Sequence, residues 1–278
     1  MNSEKIRVLI SGIAGRMGRV LSRTIISRHD IILVAGFDIN SVGIDIGILA
    51  GMGQYGLSVS DDLRYLLEKY DPDVMVDFTR ADAAYDNLKE ALNFGVGCVV
   101  GTTGIPAEKL EELGELARQQ DTCLFFAPNF SPGAVLMMEF ARLASPHFSW
   151  AEIIEQHHEN KLDSPSGTAL RTAEIMRKEK GRDFQHVRPE NEKLKGTRGG
   201  ETWGIHIHSI RMPGRLAHQE VILGGMGETL IIRHDTIDRT CFMPGVLMAI
   251  RAVPGLKGLQ VGLDKLLFKN YEEEIPGK

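Results

Sequence analysis

The sequence has 278 residues, enough for one large domain or two moderate ones, and its apolar fraction of 43% and charged fraction of 25% are ordinary for a globular protein with a core. A formal net charge of −5 argues against non-specific nucleic-acid binding, which needs a basic face. The first residues show no signal-peptide pattern and no apolar run approaches the roughly 20 residues of a membrane span, so we expect a cytoplasmic protein with no nucleic-acid or membrane partner.

The first 128 residues alternate short apolar runs with helical patterns. Runs this apolar are typical of strands that are buried on both faces of a parallel sheet, with crossover helices between them. The pattern therefore predicts an α/β domain with a doubly wound parallel sheet. The predicted strands are Ile6–Ser11, Ile31–Asp38, Asp73–Phe78, Val96–Gly101 and Thr122–Ala127, and the predicted helices cover residues 16–28, 81–93 and 107–120.

The pattern changes after Pro128. Helices are predicted over residues 133–143 and 167–180, with the apolar run AEIIEQ between them, and a highly charged stretch at 182–200 indicates an irregular loop. Three β-rich runs follow at residues 202–212, 216–225 and 228–237, and a last helical pattern covers residues 244–252. The separators of the β-rich runs, Pro213-Gly214 and Gly224 to Gly227, suit hairpin turns, so the residues alone predict an open antiparallel sheet.

A glycine-rich turn follows the first predicted strand. Gly12, Gly15 and Gly18 lie between that strand and the first helix, although Ala14 occupies the place of the second glycine in a strict GxGxxG motif. Such a turn lets a pyrophosphate approach the free N–H groups of the helix start. Asp38 ends the second predicted strand, where a carboxylate can accept bonds from both ribose hydroxyls. The alternative is a plain βα turn with Asp38 as a solvated strand end.

Two later loops lie at the same edge of the predicted sheet. Thr79-Arg80 follows the third strand, and Gly101-Thr102-Thr103-Gly104 follows the fourth. Parallel sheets bind ligands at the carboxyl ends of their strands, and two hydroxyls with exposed backbone suit a ribose or a carboxamide. Taken singly, each segment has the simpler explanation of a loop.

A second polar cluster lies in the stretch EQHHENKLDSPSGT, residues 155–168. His157 and His158 close a predicted strand, so both can face one pocket only if the chain leaves strand geometry there. Lys161 follows, and Pro165-Ser166-Gly167-Thr168 has the features of a helix start. Together, an imidazole, an ammonium group and free helix N–H groups indicate a site that binds a carboxylate and donates a proton. Each of these residues alone is more simply explained as structural or solvated.

Five motifs occur in order along the chain: GxxGRMG from Gly12, DFTR from Asp77, GTTG from Gly101, APNFSPG from Ala127 and ExHHxxKxDxPSGT from Glu155. In this order they resemble the dihydrodipicolinate reductase family, whose members reduce 4-hydroxy-tetrahydrodipicolinate in bacterial lysine and diaminopimelate synthesis. The resemblance covers nearly the whole chain, and the last motif is highly specific.

The resemblance implies a Rossmann-type dinucleotide-binding domain (residues 1–128 and 240–278). It also implies an α+β substrate-binding domain (residues 129–239) whose open mixed sheet assembles a homotetramer. His157 would donate a proton, Lys161 would be the second catalytic residue, and the small dicarboxylate substrate would be bound by His158, Ser166, Gly167 and Thr168. The residues expected to bind the nicotinamide cofactor are Gly12, Ile13, Ala14, Gly15, Arg16, Met17, Asp38, Phe78, Thr79, Arg80, Gly101, Thr102, Thr103, Ala127, Pro128, Asn129 and Phe130.

One departure from the family pattern bears on the choice of cofactor. Members that accept both NADH and NADPH carry an arginine directly after the acidic residue that ends the second strand, and this chain has Ile39 there. The charge of Asp38 repels the 2′-phosphate of NADPH. Arg16 and Arg19 are the nearest cations, and Arg16 is expected over the adenine side. We therefore expect NADH to be preferred and NADPH to remain usable.

Three other functions fit parts of the sequence. Another two-domain nicotinamide-dependent amino-acid or semialdehyde dehydrogenase would share the glycine-rich turn without needing the loop at 155–168. A cofactor-sensing binding protein would tolerate the loss of His157 and Lys161. A metal hydrolase would use His206 and His208, which have no third ligand at suitable spacing, so we expect no metal site. The cysteines, which lie far apart in apolar stretches, indicate buried thiols: Cys98, Cys123 and Cys241.

Overall fold

The computed structural model describes residues 5–187 and 190–268. In the first half of the chain, strands and helices alternate as β1 (Ile6–Ser11), α1 (Arg16–Ile26), β2 (Ile31–Phe37), α2 (Ile46–Ala50), α3 (Leu63–Tyr70), β3 (Val74–Asp77), α4 (Ala81–Asn93), β4 (Gly97–Val100), α5 (Ala107–Gln119) and β5 (Cys123–Phe126). The second half comprises α6 (Pro132–Ala144), β6 (Trp150–His157), α7 (Gly167–Lys180), β7 (Gly200–Thr202), β8 (Ile205–Arg211), β9 (Ala217–Gly225), β10 (Glu228–Thr236), α8 (Met243–Ala252), β11 (Gly258–Val261) and α9 (Asp264–Leu267). Among the described helices, none has the length and hydropathy that a transmembrane span requires.

The chain divides into two compact units. The first contains the residues up to Pro132 together with those from Phe242 onward, and the second contains Gly133–Cys241. These borders lie a few residues from the domain borders expected at 128 and 240.

The first unit is built on a six-stranded sheet in the order β11-β5-β4-β3-β1-β2, and every neighbouring pair is parallel. Its central strands are buried because nearly all of their residues are apolar, and Leu88, Leu92 and Leu113 of α4 and α5 belong to one of its cores. The predicted doubly wound parallel fold is confirmed. Strand order changes direction between β1 and β3, so their carboxyl ends flank a crevice of the kind in which open α/β sheets bind ligands.

Four elements of this unit are not predicted from the sequence patterns, and one of them is the single-turn helix α9. Helices α2 and α3 are short and begin at Asp45 and Asp62, whose carboxylates accept hydrogen bonds from backbone N–H groups of the first turn. Strand β11 pairs with β5 at the sheet edge and carries the C-terminal part of the chain into the first unit. A strand of four residues and helices of one or two turns are too short to show a clear hydrophobic period.

The second unit contains a five-stranded mixed sheet in the order β10-β9-β6-β8-β7. Its central strand β6 pairs antiparallel with β9 and parallel with β8. The antiparallel sheet predicted from the residues alone is therefore wrong, because β6 lies between β8 and β9 and runs parallel to β8. The mixed sheet implied by the family resemblance is confirmed. The turn at Met226-Gly227 joins β9 and β10 into the predicted hairpin. Pro213-Gly214 makes no hairpin, because the strands that it connects lie on either side of β6.

One face of this mixed sheet packs against residues of α6 and α7. Ile205, Ile207, Val221 and Leu223 belong to this core and are at most 3% exposed. The apolar residues of the three β-rich runs are therefore mostly covered within their own unit. Ile231, on the opposite face, remains 56% exposed.

Candidate active site

The glycine-rich turn after β1 is shaped for a close approach of chain to ligand. Gly12 has a φ of +81°, and a Cβ there would lie 2.8 Å from the carbonyl oxygen of Phe78. A Cβ on Gly18 would lie 2.3 Å from the Gly12 oxygen, so only glycine lets α1 pack this closely on the turn. Helix α1 begins at Arg16 without a side-chain cap, which leaves first-turn N–H groups available to an anion.

The Asp38 side chain lies beside this turn and is 9% exposed. Its Oδ2 accepts a hydrogen bond from the Ala14 N–H at 2.9 Å, and its Oδ1 accepts from the backbone N–H of Asn40 at 2.9 Å and from Asn40 Nδ2 at 3.2 Å. A carboxylate has about four acceptor positions, so one remains for a ligand hydroxyl. The glycine-rich turn and the strand end are thus joined through this one carboxylate.

Two neighbouring clefts open at the carboxyl edge of the parallel sheet. The larger has a volume of about 480 Å³ and contains these predicted cofactor residues: Gly12, Ala14, Gly15, Asp38, Phe78, Thr79 and Arg80. The smaller has a volume of about 290 Å³ and contains Arg16, Met17, Phe78, Thr79, Gly101, Thr102 and Thr103. Arg19 lines the cleft with Asp38, whereas Arg16 lines the smaller cleft, and the placement of Arg16 at the adenine side stays a prediction.

The remaining predicted cofactor residues do not line either cleft. Ile13, Ala127 and Phe130 are at most 3% exposed, and the Phe130 ring packs edge-on against Phe78 with centroids 6.2 Å apart. Pro128 is exposed, and Asn129 Oδ1 accepts the backbone N–H of Ser131 at 2.9 Å. Phe130 therefore packs against the ring of Phe78, which lines both clefts.

Asp77 joins two of the cleft loops. It is fully buried, and its Oδ1 accepts hydrogen bonds from the Thr79 N–H at 3.1 Å, the Thr79 hydroxyl at 2.8 Å and the Thr102 hydroxyl at 2.6 Å. Thr79 follows β3 and Thr102 follows β4, so this one oxygen fixes the spacing between the two loops. Asp77 is the first residue of the DFTR motif, and the residue pattern alone predicts no role for it.

In the second unit, the polar cluster begins at the end of β6. Glu155 and His157 lie two residues apart and therefore on the same face of the strand. His157 has a side chain that is 15% exposed, and its Nδ1 is 2.6 Å from Glu155 Oε2. His158 lies just beyond the strand, half-buried, and its carbonyl accepts the Lys161 N–H at 3.2 Å in a turn. The chain thus leaves strand geometry at the expected position.

The loop after β6 places a cation and a helix start close in sequence. Lys161 Nζ is 2.7 Å from Asp163 Oδ1, and its ammonium group lowers the pKa of that carboxyl. Ser166 is the N-cap of α7, since its Oγ accepts the Ala169 N–H at 3.2 Å. Gly167 and Thr168 begin the helix, and the first turn contains no acidic residue. The predicted helix start is confirmed, and its N–H groups suit an anion.

The residue that connects these groups is Glu155, which is 0% exposed. Besides His157, it accepts the Ser166 N–H at 3.2 Å and two parallel hydrogen bonds from Arg211, at 2.8 and 2.9 Å. Burial on its own raises the pKa of Glu155, but hydrogen bonds from His157, Arg211 and Ser209 outweigh it and bring the pKa to about 2. Glu155 is the first residue of the motif ExHHxxKxDxPSGT, yet the residue patterns alone predict no role for it or for Arg211.

The histidines considered for a metal site lie on the other face of the mixed sheet. His208 Nε2 is 2.7 Å from Glu152 Oε2, while His206 is 6% exposed and its ring packs near that of His186. Within residues 5–187 and 190–268, no three His, Cys, Asp or Glu side chains are grouped so that they could hold a metal ion. Of the cysteines, Cys98 and Cys123 are buried and Cys241 is partly buried.

Comparison with known proteins identifies relatives of both the N-terminal and the C-terminal part of the chain. Residues 6–130 match the family model "Dihydrodipicolinate reductase, N-terminus", and residues 133–267 match "Dihydrodipicolinate reductase, C-terminus". A 4-hydroxy-tetrahydrodipicolinate reductase of Moorella thermoacetica is 48% identical over 262 residues, which cover 94% of this chain and 98% of the relative. The enzyme of the same name from Gloeothece citriformis is 45% identical over 270 residues, covering 94% and 98%.

Solved structures show the same architecture. A dipicolinate-bound dihydrodipicolinate reductase from Paenisporosarcina sp. TG-14 superposes with a TM-score of 0.83 at 38% identity and covers 94% of this chain and 99% of that one. An amine dehydrogenase from Mycobacterium smegmatis, at 15% identity and a TM-score of 0.65, covers 94% and 96% and shares the fold alone. With two family models spanning nearly all of it and relatives close to half identical, the chain belongs to the dihydrodipicolinate reductase family.

Proposed function

We propose that His157 and Lys161 carry out the reduction of 4-hydroxy-tetrahydrodipicolinate, the family reaction in lysine and diaminopimelate synthesis, which this chain performs with a nicotinamide cofactor. The observation that carries the proposal is the cluster around His157, in which an imidazole, an ammonium group and the N-terminus of a helix belong to the twelve residues 157–168. When bound, the cofactor supplies a hydride to the substrate. The side chains of the second unit bind the substrate and supply a proton.

His157 is the proton donor in this proposal. The ring hydroxyl of the substrate leaves as water, which gives a conjugated imine. Hydride addition to this imine leaves an electron-rich enamine, which becomes product only when a carbon atom is protonated. An imidazole has an unperturbed pKa of about 6.5 and suits proton transfer at neutral pH. The His157 ring is 15% exposed and held on one side by Glu155, so its other nitrogen is left to meet a ligand.

Lys161 and the start of α7 bind the carboxylates of the substrate. Gly167 is exposed, and the first-turn N–H groups of α7, together with the helix dipole, attract a negative group. Lys161 adds a charge-assisted contact once its partner Asp163, which is 61% exposed, gives way to the ligand. His158 and Ser166 complete the proposed substrate contacts, Ser166 by fixing the geometry of the helix start.

The clefts of the first unit fit a nicotinamide dinucleotide. The turn at Gly12 leaves no room for a Cβ, and the N–H groups at the start of α1 are available to a pyrophosphate. Asp38 can still accept a hydrogen bond from a ribose hydroxyl. We propose that NADH is preferred and NADPH is usable. Supporting this, the cations among the described residues of the larger cleft are Arg19 and Arg80, and both are already engaged, Arg19 with the Ala14 carbonyl at 2.9 Å and Arg80 with Asp82 at 3.1 Å.

We further propose a cytoplasmic homotetramer assembled through the mixed sheet. On the face that is not covered by α6 and α7, Ile210 is 38% exposed, Ile231 is 56% exposed and Ile222 is half-buried. A neighbouring subunit on this face would remove these apolar residues from water. Sedimentation velocity at micromolar concentration should give a tetramer, and a monomer would contradict the assembly.

The catalytic assignment is tested with the His157→Gln variant. Turnover with freshly formed substrate should fall by roughly 100-fold or more, as expected for a lost general acid, while the dissociation constant of NADH stays near that of the unmodified protein. His147→Gln, an exposed histidine of the same unit, is the matched control and should keep full turnover. Undiminished turnover in His157→Gln would end the assignment, and a protein that binds NADH without any turnover would be a cofactor sensor instead.

A further inference from the structure

We propose that Glu155 and Arg211 form a positioning pair that fixes the protonation geometry of His157 and holds the catalytic loop 158–166 against β6. This inference rests on the proposed role of His157 as proton donor. Neither residue needs to touch the substrate. The effect of Glu155 passes through His157, and Arg211 in addition holds the backbone of the loop at the Asp163 carbonyl.

The first step is the protonation state of Glu155. Its carboxylate is 0% exposed, yet its surroundings keep it ionised, because two nitrogens of Arg211 and the N–H of Ser166 donate to it. An ionised carboxylate can only accept hydrogen bonds. The Nδ1 of His157, 2.6 Å away, must therefore carry a hydrogen. Proton exchange with the substrate is then confined to Nε2, which leaves a single ring orientation for the acid.

The second step is the role of Arg211 in the loop. Arg211 lies opposite His157 in the parallel register of β6 and β8. Its Nη2 donates to Glu155 Oε1 at 2.8 Å and also to the carbonyl oxygen of Asp163 at 2.7 Å. Asp163 lies two residues after Lys161, so one guanidinium connects the carboxylate that orients His157 with the segment that carries Lys161.

The third step concerns the energetic cost of this arrangement. The Arg211 Nε is buried and has no hydrogen-bond partner among the described residues. A buried donor without an acceptor costs about 1–3 kcal/mol, and buried ion pairs in general stabilise a fold no better than apolar residues of similar volume. Stability alone therefore gives a poor account of why this pair is buried here. Orientation of the acid explains why both oxygens of Glu155 and both terminal nitrogens of Arg211 are used.

The test is a double-mutant cycle between Glu155→Gln and His157→Gln, read out as kcat. Glutamine has nearly the size of glutamate, but it lacks the charge and can present an N–H to the ring, so Nδ1 is no longer obliged to carry a hydrogen. In the otherwise unmodified protein, Glu155→Gln should lower kcat by roughly tenfold or more. In the His157→Gln background the same substitution should change kcat by less than about twofold, because its effect passes through His157.

The cycle separates failure of this inference from failure of the proposed function. Full turnover in His157→Gln alone would overturn the proposed function. Full turnover in Glu155→Gln, or an equal loss of kcat in both backgrounds, would overturn the positioning role while leaving His157 as the acid. Glu152→Gln is the matched control, because Glu152 is on the same strand, faces the opposite side and also binds an arginine and a histidine, Arg198 and His208. Its kcat should stay within about twofold of the unmodified value.

A second variant covers the case in which Glu155→Gln does not fold because Arg211 loses its partner. Replacing both Glu155 and Arg211 by methionine removes the charges together, which buried pairs generally tolerate. This double variant should unfold at a temperature near that of the unmodified protein and still show the roughly tenfold or greater loss of kcat. Normal turnover in a stably folded double variant would contradict the positioning role.

Discussion

We expect a substitution at a single exposed residue to shift the preference between NADH and NADPH. Ile39 follows Asp38 at the larger cleft and has a side chain that is 78% exposed, so Ile39→Arg should fold normally and place a guanidinium at the ribose edge. In the unmodified protein, the 2′-phosphate of NADPH would meet the Asp38 carboxylate. Two charges about 4 Å apart repel by about 1 kcal/mol in water and by about 4 kcal/mol near a protein surface. For an open cleft we expect about 1–2 kcal/mol, or roughly tenfold in kcat/KM in favour of NADH.

The arginine should offset most of this repulsion. A hydrogen bond between charged groups contributes about 1.5–3 kcal/mol when sheltered, and solvent screening at so exposed a position reduces this to about 1 kcal/mol. The ratio of kcat/KM for NADPH to that for NADH should therefore rise about fivefold to tenfold in Ile39→Arg.

The assay is steady-state oxidation of each cofactor at saturating substrate in a buffer without phosphate. Ile48→Arg is the control, since Ile48 is 60% exposed in the same unit and does not line the cleft, so the same charge should leave the ratio unchanged. An unchanged ratio in Ile39→Arg, or an equal rise in both variants, would refute the electrostatic account. A preference of the unmodified protein for NADPH would refute the role of Asp38.

Three further predictions follow from single contacts. Asp77→Ala removes the hydrogen-bond acceptor that Thr79 and Thr102 share. Because unpaired donors cost about 1–3 kcal/mol, the dissociation constant of NADH should rise by about tenfold in calorimetric titration. An unchanged constant would mean that the two loops keep their positions without Asp77. Lys161→Ala should raise the substrate KM and lower kcat, because a charge-assisted contact of about 1.5–3 kcal/mol is lost, and normal kinetics would place Lys161 outside the substrate site. Hydrogen bonds from His157 and Arg211 lower the folded-state pKa of Glu155 to about 2, against an ordinary 4.5, so the stability linked to its ionisation is present above pH 4.5 and is lost as the pH falls toward 2. In thermal unfolding, the Glu155→Gln variant should lose less stability between pH 4.5 and pH 2 than the unmodified protein does. Equal losses of stability in the two proteins would contradict the lowered pKa of Glu155.

The first unit could be predicted from the sequence because its signals are local. A buried parallel strand is a short apolar run, and the turn at Gly12 is recognisable from its glycines and from the helix that follows. The errors are at the ends, since β3 is predicted to include Phe78 and the structure ends it at Asp77. Phe78 is apolar because its ring lines a cleft and packs on Phe130, so hydrophobicity there indicates a binding wall rather than a strand.

The order of the second sheet could not be predicted from the residues alone. The segments β8 and β9 are joined by a short Pro-Gly connection, which usually indicates a hairpin, but β6 is inserted between them from earlier in the chain. Pairing of that kind depends on contacts distant in sequence, and no turn residue reports it. The family resemblance supplied what the local pattern lacked.

The candidate site shows the same division between local and distant signals. His157, Lys161 and Ser166 lie in one loop and could be found from residue types and spacing. Glu155 could have been found from its position two residues before His157, because both side chains lie on one face of a strand. Arg211 is 56 residues from Glu155 and meets it only through the pairing of β6 with β8, so no local signal identifies it.

The most direct test of the account is oxidation of NADH by the unmodified protein when substrate is formed freshly from pyruvate and aspartate semialdehyde. The account predicts that NADH is consumed only when protein and substrate are both present, with one equivalent of tetrahydrodipicolinate formed per NADH oxidised. A protein that binds NADH in the same mixture but consumes none of it would contradict the account.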